Sequence, residues 1–130
     1  MVAADARTAV TFCLSPGHAH DAPHGERLLL DMDMTRWGGA RNLPMIMDRA
    51  YEGNGTRQLV LELGFQPVVP PKGNRVAPWQ YDRIMYRRRN EIERLFRRLK
   101  GFRRIFSRFD KLDVMFLAFI HFALIVEALR

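Results

Sequence analysis

One glutamate set among bases at helical spacing gives this chain its clearest chemical suggestion. The run reads Tyr86-x2-Arg89-x3-Glu93-x6-Lys100. On a helix turning about 100° per residue, with Tyr86 at zero, Arg89 falls near roughly −60°, Glu93 near −20° and Lys100 near −40°. All four then share one narrow face. Ile84, Met85, Ile92, Leu95, Phe96 and Leu99 fill the apolar arc beside it. Glu93 therefore stands at the edge of a core with Arg89 and Lys100 close by. A metal-binding or proton-handling carboxylate beside phosphate-binding cations would be placed there. A solvated charged helix with accidental alignment is the plainer alternative.

A second carboxylate, Asp48, ends the apolar run Leu43-Pro-Met-Ile-Met47 and precedes Arg49-Ala-Tyr51. Open α/β sheets carry their ligand sites at the carboxyl ends of strands. A carboxylate there can reach a metal while its strand holds it in place. Aspartates also commonly cap helices or turns after strands. Asp48 and Glu93 could share Mg²⁺, whose preference is for hard oxygen ligands with positions left for water and phosphate. Two-metal phosphoryl transfer normally needs a third carboxylate.

The elements that must position these groups follow from local patterning. Ala9–Leu14 is β-branched and apolar and stops at Ser15-Pro16-Gly17, which predicts a strand, with Asp5-Ala-Arg7 as the hairpin turn before it. His18–Gly25 is expected to be loop and Glu26–Asp33 a short helix ended by Trp37-Gly38-Gly39. Leu43–Met47 is expected to be a buried strand, Thr56–Leu63 a helix closed by Gly64, and Phe65–Val69 the next strand. Residues 70–78 form a loop with Lys72 and Arg75, and a long basic helix runs from about Tyr81 to Lys100. Leu112–Leu129 is expected to be a largely buried final helix. Alternating strands and helices argue for an α/β fold with a mostly parallel sheet.

The 130 residues suffice for one domain with one core. A hydrophobic content of 48% argues against general disorder. Twenty-one bases against 14 acids leave a net charge of +7. That excess favours a polyanion, with nucleic acid ahead of an anionic membrane surface. It is concentrated between Arg83 and Arg108, where 11 bases face only Glu91 and Glu93. Arginine predominates there, which suits bidentate phosphate contacts. Cys13 is the only cysteine, so no internal disulfide forms and a reducing cytoplasm is expected. The apolar run Val114–Val126 falls short of the ~20 residues needed to span a bilayer.

Several of these segments together resemble the DDE transposases of bacterial insertion sequences. Tyr86-x2-Arg89-x3-Glu93-x6-Lys100 is similar to the signature around that family's third acidic residue, and Asp48-Arg-Ala-Tyr51 to the segment around the second. Pro16–Asp21, Val68–Arg75, Tyr81-Asp-Arg83 and Phe102–Lys111 also resemble the family, so the likeness covers nearly the whole chain. The resemblance implies an RNase H-like fold, DNA ends and target DNA as substrate, and Mg²⁺ (or Mn²⁺) bound by Asp48 and Glu93. Metal-activated water would hydrolyse a phosphodiester at the transposon end, and the released 3′-hydroxyl would attack the target. It further implies DNA contacts by Tyr86, Arg89, Lys100, Arg97, Lys72 and Arg75.

The family's first aspartate lies on an earlier strand, for which this sequence shows no counterpart. The expectation is therefore a C-terminal, N-terminally truncated portion of a single catalytic domain, inactive in strand transfer by itself. It would work as a homo-oligomer or with an upstream-encoded portion, in the bacterial nucleoid. A non-catalytic DNA-binding regulator derived from a transposase is the alternative.

Other candidates carry less. Cys13, His18, His20 and His24 have spacing that fits no standard zinc site. His20-Asp21 resembles a family feature near the active site and could shape it. His121 is expected to be a core histidine. Trp37 and Trp79, both in loops, could stack on a base, but packing is the simpler role.

Overall fold

A computed structural model describes residues 1–32, 42–108 and 111–130. Trp37-Gly38-Gly39 and Asp33, expected at the end of the first helix, lie outside the described residues, as does the Asp21 side chain. The chain divides into two compact units. One comprises Ser15–Arg89, and the other Met1–Leu14 with Asn90–Arg130.

In the central unit, helix α1 covers Asp21–Leu30 and helix α2 covers Asn54–Glu62. Strands β3 (Leu43–Ile46) and β4 (Phe65–Val68) pair in parallel from Leu43↔Phe65 to Ile46↔Val68, and α2 makes the crossover. Parallel neighbours need such a crossover, since a tight turn can only reverse the chain. Helix α1 starts five residues earlier than the pattern predicts. Pro23 suggests loop, but proline fits the first helical turn, where backbone N–H groups have no intrahelical acceptor. Gly25, inside α1, meets the Tyr51 ring, and a Cβ there would overlap it. Gly64 closes the turn into β4 at φ +87°, a left-handed conformation that side chains disfavour. Val60, Val68 and Val69 are buried in this unit, with Leu28, Leu29, Met47 and Phe65.

The terminal unit begins with an antiparallel hairpin, β1 (Val2–Ala3) with β2 (Ala9–Thr11). Asp5 makes the turn as expected, its Oδ1 accepting from the backbone N–H of Arg7 at 2.7 Å and of Thr8 at 2.9 Å. Helices α4 (Asn90–Lys100), α5 (Arg103–Ser107) and α6 (Asp113–Leu129) complete it. Leu95, Leu99, Phe116, Ile120, Ala123 and Leu124 form its core, and Phe12 and Leu14 pack against them. Among the described residues the paired strands are thus two separate pairs, one parallel and one antiparallel, where the sequence suggested one mostly parallel sheet. The mixture of helices and strands is nonetheless α/β.

Two further expectations change. The long basic helix is not continuous: α3 (Arg83–Tyr86) is followed by a 3₁₀ turn over Arg87–Arg89 before α4 begins. A 3₁₀ turn advances about 120° per residue, so a 100° count does not carry across it. Helix α6 is not largely buried. Val114, Met115, Phe122, Ile125 and Leu129 are all more than half exposed. His121 is likewise exposed, its ring 4.9 Å from that of Phe12, so it is not a core histidine. An apolar run interrupted only by His121 tells which element forms but not which face packs.

Candidate functional site

Asp48 stands two residues beyond the carboxyl end of β3, where Met47 donates its N–H to the Val68 carbonyl at 3.0 Å. Its Oδ1 accepts from the Ala50 N–H at 3.4 Å and caps the short 3₁₀ turn Arg49–Tyr51. Its Oδ2 lies 3.4 Å from Nη1 of Arg89, and the side chain remains 56% exposed. Capping leaves part of the carboxylate open, because it has about four lone-pair sites and the cap uses one.

Three residues singled out in the sequence meet here. Arg89 reaches Asp48 with one end of its guanidinium, and its Cζ lies 6.0 Å from the centroid of the Tyr86 ring. Tyr86 also meets Tyr81 edge-on at 5.7 Å. Burial, with a contribution from the charge of Asp48, raises the Tyr86 phenol above its ordinary value of 10.0, although Arg89 opposes the shift. Like any tyrosine phenol, it keeps its proton at neutral pH and can donate a hydrogen bond.

Glu93, Arg97 and Lys100 belong to α4 in the other unit. All three are exposed, on a helix whose Leu95 and Leu99 are buried. Positions 93, 97 and 100 are related by steps of four and three, so they line one side of α4, which for Glu93 and Lys100 is what the spacing predicted. Among the described residues no three carboxylate, histidine or cysteine side chains gather into a metal-binding group. Asp48 supplies hard oxygen with open space around it. That suits Mg²⁺, which is commonly held by one or two carboxylates together with water and substrate phosphate. The histidine-cysteine segment forms no zinc cluster among the described residues, and His20 is exposed at the start of α1.

Beside Asp48 is a polar network that the sequence did not reveal. Glu52 is 6% exposed. Its Oε2 accepts from Nε of Arg75 at 2.7 Å and from the Lys72 backbone N–H at 3.5 Å. Arg75 also donates through Nη2 to the Glu52 carbonyl at 2.9 Å and through Nη1 to Asn54 Oδ1 at 2.8 Å. The hydrogen bond from Arg75 holds the Glu52 carboxyl below its ordinary 4.5, against the opposing effect of burial. Trp79 donates its indole N–H to the Val69 carbonyl at 2.8 Å. The guanidinium carbons of Arg57 and Arg75 lie 3.5 and 4.8 Å from its ring centroid. Trp79 is accordingly a packing residue with two cationic neighbours. Lys72 differs from Arg75: its side chain is 56% exposed, with Nζ 3.7 Å from Glu52. No local pattern announces Glu52, because its partner Arg75 lies 23 residues further on.

The transposase DDE domain family matches residues 45–130, a span that holds Asp48, the Glu52 network and all of α3 to α6. The chain belongs to that family. A relative from Brucella ovis, described as "Putative transposase for insertion sequence element IS6501", is 31% identical over 120 residues, covering 89% of this chain and 85% of its own length. No solved structure matches at a significant level. DDE domains of transposases act in transposition and in general use divalent metal ions. Among the described residues no helix is long and apolar enough to cross a membrane.

Proposed function

We propose that this chain is part of the catalytic domain of an insertion-sequence transposase, a portion of a DDE domain of RNase H-like fold whose complete form cleaves and joins DNA at element ends with Mg²⁺ or Mn²⁺. The observation that carries this reading is Asp48, an exposed carboxylate just beyond the end of a parallel strand, with Arg89 3.4 Å away, inside the matched family span. Asp48 and Glu93 are the metal-binding carboxylates. When bound, the metal would supply Lewis-acid stabilisation of the phosphodiester and an activated oxygen nucleophile.

The chain's own residues do the positioning. Tyr86 donates its phenolic proton to a phosphate oxygen. Arg89, Arg97, Lys100 and Lys72 hold the DNA backbone. A phosphate that recruits Arg89 leaves Oδ2 of Asp48 free to act as a ligand, so DNA binding and metal binding reinforce each other.

The test uses the purified full chain, a duplex carrying a terminal repeat, and Mn²⁺ followed by electron paramagnetic resonance. Binding to the duplex should weaken steeply with salt. Asp48→Asn and Glu93→Gln should each weaken Mn²⁺ binding to the protein–DNA complex by about tenfold or more while DNA affinity is retained. Salt-insensitive DNA binding, or Mn²⁺ affinity unaffected by both substitutions, overturns the reading.

A further inference from the structure

Eleven residues, Val69 to Trp79, connect β4 to the segment leading into α3 without regular secondary structure. A loop of that length needs something to fix it, because conformational entropy opposes a single arrangement. Here it is fixed at three points. Trp79 closes it on its own start through the Val69 carbonyl. Arg75 ties its middle to Glu52 and Asn54, residues that follow β3. The Lys72 N–H reaches the same Glu52 carboxylate. The two segments leaving the carboxyl ends of β3 and β4 are thus joined through one buried acid.

The two loop cations are treated differently. Arg75 makes three hydrogen bonds to protein oxygens, one from each guanidinium nitrogen, and its side chain is 24% exposed. Three of its five N–H donors are thereby committed, and drawing the guanidinium fully onto a phosphate would strip a buried carboxylate of its partner, which is strongly unfavourable. Lys72 makes one longer ion pair at 3.7 Å and is 56% exposed. Releasing it leaves the Glu52–Arg75 bond intact.

We propose that Glu52 is a positioning residue that clamps the loop after β4 to the segment after β3, committing Arg75 to the clamp and presenting Lys72 as the loop's contact for a DNA phosphate. This rests on the reading of the strand ends as a DNA-processing site. It parts Arg75 from the phosphate-binding role that the sequence suggested for both cations.

The experiment has two arms, on full-length protein carrying Glu52→Gln, Arg75→Gln or Lys72→Gln, with Asn54→Ala as a milder variant should the first two fold poorly. The first arm follows amide hydrogen exchange without DNA. Loss of the clamp in the Glu52, Arg75 or Asn54 variants should speed exchange across residues 70–78 by about tenfold or more while β3 and β4 stay protected. Lys72→Gln should leave that exchange unchanged. The second arm measures affinity for a duplex oligonucleotide against salt. Lys72→Gln should reduce the slope of log affinity on log salt by about one, and Arg75→Gln should leave it unchanged. Unchanged loop exchange in the clamp variants overturns the clamp whatever DNA does. A slope reduced by Arg75→Gln, or untouched by Lys72→Gln, overturns the division between the cations. A wild-type protein that binds no duplex defeats the functional reading and the role of Lys72 with it, and leaves the exchange result to decide the clamp.

Discussion

The two units each contain a buried glutamate, and the two glutamates are built differently. Glu52, in the central unit, takes a 2.7 Å hydrogen bond from Arg75 and a backbone N–H, and its partner is further held by Asn54. Glu127, in the terminal unit, is 1% exposed, yet Arg98 stands 3.8 Å and Arg130 3.2 Å from its oxygens, and its Oε2 has no hydrogen-bond partner. Both its arginines are more exposed than Arg75. The central unit thus uses a buried charge to fix where a loop lies. The terminal unit relies on apolar burial along α4 and α6, with its glutamate incompletely satisfied. A buried ion pair stabilises only when geometry and accessory hydrogen bonds repay desolvation. By that criterion Glu52 specifies structure, and Glu127 is replaceable.

The largest effect that sharpens this contrast should come from the terminal core. Leu95 is 0% exposed, and Leu95→Ala should cost about 4 kcal/mol in chemical denaturation, the range for a leucine truncation that leaves a cavity. A loss below about 1 kcal/mol would mean that apolar packing does not hold this unit. Glu52→Ala should cost about 3 kcal/mol, somewhat less than a fully buried pair because Arg75 keeps some solvent access. Equal losses from Glu52→Ala and Glu127→Ala would erase the difference between the units.

Acid gives a third, smaller test. The folded-state value of Glu52 is lowered, so its contribution is complete above the ordinary carboxylate value of 4.5 and disappears as pH falls through the lowered one. Amide exchange across residues 70–78 should therefore quicken below pH 4.5 in the wild type, after correction for intrinsic rates, and should lose that dependence in Glu52→Gln. The smallest effect is expected at the other glutamate. Glu127→Leu should cost less than about 1 kcal/mol, because Arg98 and Arg130, 38% and 62% exposed, can return to water, and the thermal midpoint should fall little. A clear drop would show that Arg98 and Arg130 do more for Glu127 than their distances indicate.

What the sequence disclosed followed from the range of the interactions involved. Asp48 was legible because an apolar run stops on it, and the Asp5 turn because its acceptor bonds residues two and three positions on. The β3-α2-β4 crossover was legible through hydrophobic runs bounded by glycines. The α1 boundary is not legible locally, because proline breaks helix interiors but not helix starts. The break at Arg87–Arg89 carries no proline or glycine to announce it. Glu52 was invisible for another reason. Its meaning lies in Arg75, and nothing periodic links positions 23 apart.

That separation also bears on kinetics. Between Glu52 and Arg75 lie all of α2 and all of β4. Closing that long loop before the crossover has formed is entropically costly, so the bond is expected to contribute late in folding. An interaction absent from the transition state slows unfolding and leaves the folding rate nearly untouched. In stopped-flow measurements, Glu52→Gln should steepen the loss of native signal and scarcely alter its return. The clamp would then act as a latch, engaged last and released first, and it would set how long the strand ends stay assembled.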